Sequence, residues 1–297
     1  MKTMITGCTG LVGSALIESL FKNGHSIQCL KRDKSPRTTH FWDTDSLPQD
    51  NNNGFNAIIH LAGENVANGR WSKKKKEEIL NSRLDGTREL IDYVSLLADK
   101  PEVFLCASAV GYYGNRGKEL LDEKSSLGVG FLADVCRQWE KETQRLSSLG
   151  IRIVNLRFGM ILSPRGGALH KMITPFKAGL GGVVGTGEQY VSWISIRDVV
   201  SIIDFIIKNE SIKGPVNVVS PIQTTNRELG KTLGKVLKRP TLFKVPASAT
   251  RLIFGQMADE MLLTSCWVTP QKLMQSGYQY IDQSLESVLN YCTASLD

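Results

Sequence analysis

The 297-residue chain lacks the marks of several protein classes. No apolar run approaches the roughly 18 residues of a membrane-spanning helix. The longest candidate, Val199 to Ile207, is broken by Ser201 and Asp204, so no membrane partner is expected. Six cysteines are present, but none forms C-x-x-C and several stand in apolar segments. Reduced thiols and a cytoplasmic location are therefore expected, not a disulfide framework. Histidine is scarce: His25, His40, His60 and His170 are too scattered to ligate zinc, and no metal site is expected. Met1-Lys2-Thr3 runs at once into an apolar strand pattern, which argues against a signal peptide or an Arg-rich presequence. There is no internal repeat, no low-complexity tract and no clear linker.

What is present is ordinary for a globular protein. Hydrophobic residues make up 41% and charged residues 22%, with 27 glycines. Such a chain buries a sizeable core without disulfides or metals. The net charge is +7, densest at Lys73-Lys74-Lys75-Lys76. No nucleic-acid recognition motif accompanies it, so no nucleic-acid partner is expected. The lysines read as a solvated helix face, and the excess charge suits a polyanionic ligand such as a dinucleotide phosphate.

Strand and helix patterns alternate. Strands are predicted at 2–6, 26–30, 57–62, 103–108, 151–157 and 216–219, and helices at 11–22, about 72–98, 131–149 and 199–208. Gly150 is a natural helix stop, and Thr225-Asn226-Arg227-Glu228 is a capping box. This alternation implies right-handed crossovers and an α/β fold with a doubly wound parallel sheet. The glycine-rich stretch 166–187 reads as a loop-and-helix insertion, with 179–187 as a pocket loop.

The strongest motif is Thr6-Gly7-Cys8-Thr9-Gly10-Leu11-Val12-Gly13, a G-x-x-G-x-x-G between the first strand and the first helix. Gly7 permits a sharp turn, Gly10 lets a pyrophosphate approach the helix N–H groups, and Gly13 allows close packing. Thr9, Leu11 and Val12 complete the loop. The motif makes the fold Rossmann-type. Residues 1–165 are read as the nucleotide-binding domain, with later strands returning from 188–220. Residues 166–297 are read as a smaller C-terminal substrate-side lobe, interleaved with the first. At the end of the second strand, where an NAD site carries an acid, stand Lys31 and Arg32. Two cations attract a 2′-phosphate, so NADP(H) is the expected cofactor, although Asp33 follows directly.

Several segments resemble the extended short-chain dehydrogenase/reductases of the nucleotide-sugar epimerase/dehydratase type: Thr6 to Gly13, Leu61-Ala62-Gly63, and Ser108-Ala109-Val110-Gly111-Tyr112-Tyr113-Gly114. His60 to Asn65, Asn81-Ser82-Arg83, Trp139-Glu140, Arg157-Phe158-Gly159 and Ser192-Trp193-Ile194 resemble its atypical, epimerase-like branch more closely. The resemblance spans essentially the whole chain. It implies NADP(H) binding, with Leu61, Ala62, Gly63, Arg83, Ser108 and Arg157 beside the cofactor. It also implies an oxidoreductase acting on an unknown small molecule, and a homodimer.

The superfamily's Y-x-x-x-K pair is absent: no tyrosine has lysine four residues later. The helix that should carry it offers Phe131, Leu132, Val135 and Cys136. Nucleotide-sugar epimerase chemistry thus lacks its acid/base. Tyr113 and Glu64 are the substitute candidates; the alternatives are packing for Tyr113 and helix capping for Glu64. Arg83, where relatives carry asparagine, suits a phosphate or a carboxylate, or else a surface salt bridge. Tyr112 and Trp193 are candidate pocket walls, with core packing the alternative for Trp193. Without a recognisable proton donor, a second reading stands beside the enzyme: a non-catalytic NADP(H) sensor.

Overall fold

Alternating short β-branched runs and glycine-stopped helices fold as the pattern requires. The computed structural model describes residues 1–32, 41–43 and 54–294. Its first half comprises β1 (Lys2–Thr6), α1 (Leu11–Lys22), β2 (Ser26–Leu30), β3 (Ala57–His60), α2 (Lys73–Leu96), β4 (Val103–Ala109), β5 (Leu120–Leu121), α3 (Phe131–Thr143) and β6 (Arg152–Phe158). Then follow β7 (Met160–Leu162), α4 (Gly167–Lys177), β8 (Gly182–Val184), β9 (Trp193–Ser195), α5 (Ile196–Lys208) and β10 (Gly214–Val218). The remainder is α6 (Asn226–Val236), β11 (Phe243–Val245), α7 (Ala247–Phe254), β12 (Trp267–Val268), α8 (Gln271–Gln275) and α9 (Leu285–Ala294).

Six strands form one parallel sheet in the order β10-β6-β4-β3-β1-β2. The chain leaves β1 on one side for β2 and returns on the other for β3. That reversal opens a crevice above the C-terminal ends of β1 and β3, where ligands bind in such sheets. Both faces are covered, so the strands are apolar on both sides. On one face, Leu16 and Leu20 of α1 and Ile202, Ile203 and Ile206 of α5 pack on Ile5, Ile59, Leu105 and Val154. On the other, Leu90, Ile91 and Val94 of α2 and Trp139 of α3 pack on Met4, Ile58 and Phe104.

A separate core joins α4, α6 and α9 through Leu169, Ile173, Phe176, Leu229, Leu233, Val288 and Leu289. The predicted 131–149 helix tightens into a 3-10 stretch, Gln144–Leu149, and Gly150 stops it at φ +74°. α5 starts three residues before the expected Val199, because the Ser195 hydroxyl caps it by accepting from Asp198 N–H at 3.0 Å. The 179–187 stretch is not an open loop: β8 lies inside it and pairs with β11. No helix among the described residues is long and apolar enough to cross a membrane.

The expectation of reduced thiols needs correction at one pair. Cys8 and Cys29 form a disulfide, with Cα atoms 6.1 Å apart, that ties the glycine-rich loop to β2. The two residues are distant in sequence, and the β1–β2 pairing brings them together. Cys106, Cys136, Cys266 and Cys292 are free and buried.

Candidate functional site

β1 delivers the chain to Gly7, whose φ of +74° only glycine adopts without strain. A Cβ there would lie 2.9 Å from Ala62 N and Leu61 C, so Gly7 lets β1 and the end of β3 close together. Gly10 opens α1 and offers no side-chain cap, leaving the first-turn N–H groups of Leu11, Val12 and Gly13 for a ligand. A Cβ on Gly10 would lie 3.2 Å from Gly7 O, and one on Gly13 would collide with the same carbonyl. Gly13 therefore closes the loop on itself, where the sequence suggested helix-to-strand packing. Thr9 is exposed at the rim.

Under this loop lies a buried polar chain that sequence reading missed. His60 is fully buried between Thr6 Oγ1, 2.7 Å from Nδ1, and Thr87 Oγ1, 3.0 Å from Nε2. Thr87 donates its one hydroxyl proton to Arg83 O at 2.5 Å and accepts from Trp139 Nε1 at 2.8 Å. His60 Nε2 must then donate to Thr87, and Nδ1 accepts from Thr6. Thr6 in turn accepts from Leu61 and Ala62 N–H, at 3.2 and 3.3 Å. Burial pushes the His60 pKa down to about 3, so the ring is neutral. The available signal was a lone histidine in an otherwise apolar strand.

Lys31 and Arg32 are both exposed at the end of β2, and the Arg32 guanidinium lies 5.1 Å from the Phe41 ring. Glu89 fixes that segment by accepting from Phe41 and Trp42 N–H, at 2.6 and 3.0 Å. Asp33 lies outside the described residues.

A second network stands at the ends of β4, β6 and β10. Arg157, 3% exposed, is bidentate to Glu140, which also accepts from Ser108 Oγ at 2.7 Å. Arg157 Nη1 donates to the Tyr113 hydroxyl at 2.9 Å, and that hydroxyl donates to Asn217 Oδ1 at 2.7 Å. Tyr113 is fully enclosed, and burial pushes its pKa up to about 12. Tyr112 stacks on the Arg157 guanidinium, 3.5 Å from its ring centre. Glu140, present in the sequence reading only within the Trp139-Glu140 motif, and Asn217 were not among the candidate site residues; both act through polar contacts with residues distant in sequence. On α3, Leu132 packs near Gly111, and the buried Cys136 thiol is pushed up to about 11 by desolvation. Glu260, remote in sequence, caps α3 by accepting from Phe131 and Leu132 N–H, at 3.0 and 2.7 Å.

Glu64 pairs with Lys75 at 2.5 Å, and that hydrogen bond holds its carboxyl below the usual range. Arg83 Nη1 donates to Glu64 O at 3.1 Å, behind Gly63. Trp193 is a core residue, 1% exposed, with its Nε1 donating to Thr224 Oγ1 at 2.8 Å. The structure thus gathers the glycine loop, Leu61 to Glu64, Arg83, Ser108 and Arg157 along one sheet edge and puts Trp193 into the separate core.

Residues 3–219 match the model of the NAD dependent epimerase/dehydratase family, and 245–292 match a domain of unknown function. The chain is 37% identical over 294 residues to an epimerase family protein, Mb2239, of Mycobacterium bovis, covering 97% of this chain and 96% of that one. It is 33% identical to the epimerase family protein YfhF of Bacillus subtilis, covering 99% and 98%. Among solved structures, human epimerase family protein SDR39U1 (isoform 2) with NADPH superposes with a TM-score of 0.90 at 30% identity, covering 99% of each chain. With its glycine loop at the sheet's reversal point and these relatives along its whole length, the chain belongs to the NAD dependent epimerase/dehydratase family, in its epimerase-like branch.

Proposed function

We propose that the chain binds NADP(H) in the crevice over β1 and β3 and acts as an atypical short-chain oxidoreductase on a small molecule. The uncapped N-terminus of α1 carries the reading. No side chain caps its first-turn N–H groups, and Gly10, which opens the helix, is exposed. A pyrophosphate accepts from such groups and is favoured by the helix dipole. Lys31 and Arg32 suit a 2′-phosphate, and the human relative was crystallised with NADPH. Bound here, the nicotinamide supplies hydride chemistry. The protein's part is to orient the ring beside Ser108 and α3.

Proton transfer has two candidates, and neither is a ready acid. The Tyr113 hydroxyl is already committed to Arg157 and Asn217, which suits it to position Arg157. Glu64 is held ionised by Lys75, so at neutral pH it takes up a proton more readily than it gives one. It remains the acid/base candidate for the oxidative direction.

Calorimetric titration with NADPH and NADH tests the cofactor assignment. NADPH is expected to bind more tightly. Arg32→Ala should lose about 1.5–3 kcal/mol of NADPH affinity and little of NADH affinity. Equal losses, or no preference in the parent, would defeat the assignment. Tight NADPH binding with no turnover across a broad carbonyl screen would favour the sensor.

A further inference from the structure

Cys8 and Cys29 stand apart from the other cysteines. Both are half-buried, whereas Cys106, Cys136, Cys266 and Cys292 are free and buried. Desolvation pushes the buried thiols up, Cys136 to about 11 and Cys266 and Cys292 to about 12, so they stay protonated and poorly nucleophilic at neutral pH. A small thiol or disulfide from solvent therefore reaches cysteine sulfur at one place, the Cys8–Cys29 bond.

That place bears on the ligand. Cys8 lies inside the glycine loop, directly before Thr9 and Gly10, which are exposed at the N-terminus of α1. Cys29 stands two residues before Lys31 and three before Arg32, the exposed cations at the end of β2. One covalent bond thus joins the loop read as the pyrophosphate site to the strand whose end is read as the 2′-phosphate site. Thr9 makes no hydrogen bond to any described residue. Its position depends on its neighbours' ties: Gly10 N–H donating to Gly7 O at 2.9 Å, and the disulfide at Cys8. Opening the bond returns backbone freedom to Cys8 and Thr9. A bound pyrophosphate must remove that freedom again, and fixing even one residue's backbone is enough to shift affinity about tenfold.

We propose that Cys8–Cys29 is a thiol–disulfide exchange site for a low-molecular-mass thiol of the glutathione class, and that the closed bond is the tight-binding state of the dinucleotide loop. A thiolate attacks one sulfur, breaking the Cys8–Cys29 bond and forming a mixed disulfide; a second thiolate releases the small disulfide. The two small thiols give up two electrons, and the two cysteines take these up with two protons. A small disulfide closes the bond by the reverse path. The exchange rests on the two cysteines alone, and its effect on affinity rests on the dinucleotide reading. Linkage makes the coupling reciprocal, so NADPH favours the closed bond by the same factor that closure gives to NADPH binding.

The parent is equilibrated in glutathione buffers of graded poise, with and without saturating NADPH, and its free thiols are counted by alkylation after denaturation. Four thiols are expected at the oxidising end and six at the reducing end. NADPH should move the midpoint to a more negative potential by about 30 mV, the equivalent of a tenfold affinity difference for two electrons. Calorimetry should find NADPH bound about tenfold more weakly by the reduced parent than by the oxidised one. Cys29→Ser should bind like the reduced parent at every poise; should it fold poorly, Cys29→Val fills the same place and is read in the same way. A bond that excess reduced glutathione leaves intact, or equal NADPH affinity in the two states, overturns the proposal. A parent that binds no NADPH in either state defeats the dinucleotide reading, and the thiol counts still judge the exchange site.

Discussion

Tyr113 commits its hydroxyl to two neighbours, accepting from Arg157 and donating to Asn217. Tyr113→Phe leaves both short of a partner inside the fold. A stability loss of about 1–3 kcal/mol is expected, read as a lowered urea midpoint, with turnover of any identified substrate within a few-fold of the parent. A hundredfold loss of turnover at unchanged stability would restore Tyr113 as the proton donor. His60 makes a prediction of the opposite kind, through pH. Its pKa is about 3 in the fold, against about 6.5 in an unfolded chain. Between those values the unfolded state binds the extra proton, so its contribution is whole above pH 6.5 and is lost as pH falls toward 3. The slope is at most about 1.4 kcal/mol per pH unit. His25, also lowered by burial, adds with the same sign. His60→Asn should therefore flatten the urea midpoint between pH 7 and 5 relative to the parent, and an identical slope would contradict the neutral, buried ring.

At the scale of elements, the glycine loop is held from three sides: by its own carbonyl at Gly7, by the end of β3, and by the Cys8–Cys29 bond to β2. The cross-link spans 21 residues and restricts the unfolded chain, a contribution on the order of 3 kcal/mol. Cys29→Ser should lower the urea midpoint accordingly under non-reducing conditions. Dithiothreitol should bring the parent down to meet it. A parent indifferent to reductant, and equal to the variant, would show that the bond adds nothing. α3 illustrates a different dependence. Gly130 gives its first turn no side-chain cap, so the carboxylate of Glu260 supplies one. A helix on the sheet is thereby registered by the C-terminal part of the chain.

For the whole molecule, a ligand that binds only the folded state raises its stability. At one hundred times the dissociation constant the gain is about 2.7 kcal/mol, a rise of roughly 4 °C in melting temperature for a chain of this length. NADPH should produce such a shift in the parent. Gly10→Val should abolish it, because its side chain would stand at the mouth of the α1 N-terminus. Gly179→Asn should keep it, because Gly179 sits at φ +74° after α4 with nothing within 4 Å of a Cβ. A NADPH-dependent shift surviving in Gly10→Val would place the dinucleotide elsewhere.

Much of this was determined by sequence alone, because it is set by local rules. The alternation of β1, α1, β2, β3 and α2 follows from hydrophobic period, and the loop at Gly7 to Gly13 from backbone freedom that only glycine has. The cations at Lys31 and Arg32 are legible by position, since a βαβ unit brings the end of its second strand to the ribose. What the tertiary structure decided are relations between distant segments. Cys8 met Cys29 because β1 and β2 pair in parallel. Trp193 went to the core because its N–H finds Thr224. Tyr113 lost its free hydroxyl to Asn217, 104 residues away, and the carboxylates of Glu64 and Glu140 paired with Lys75 and Arg157. Period and propensity act over a few residues, whereas the pairing of buried polar groups is settled only when the sheet edge assembles.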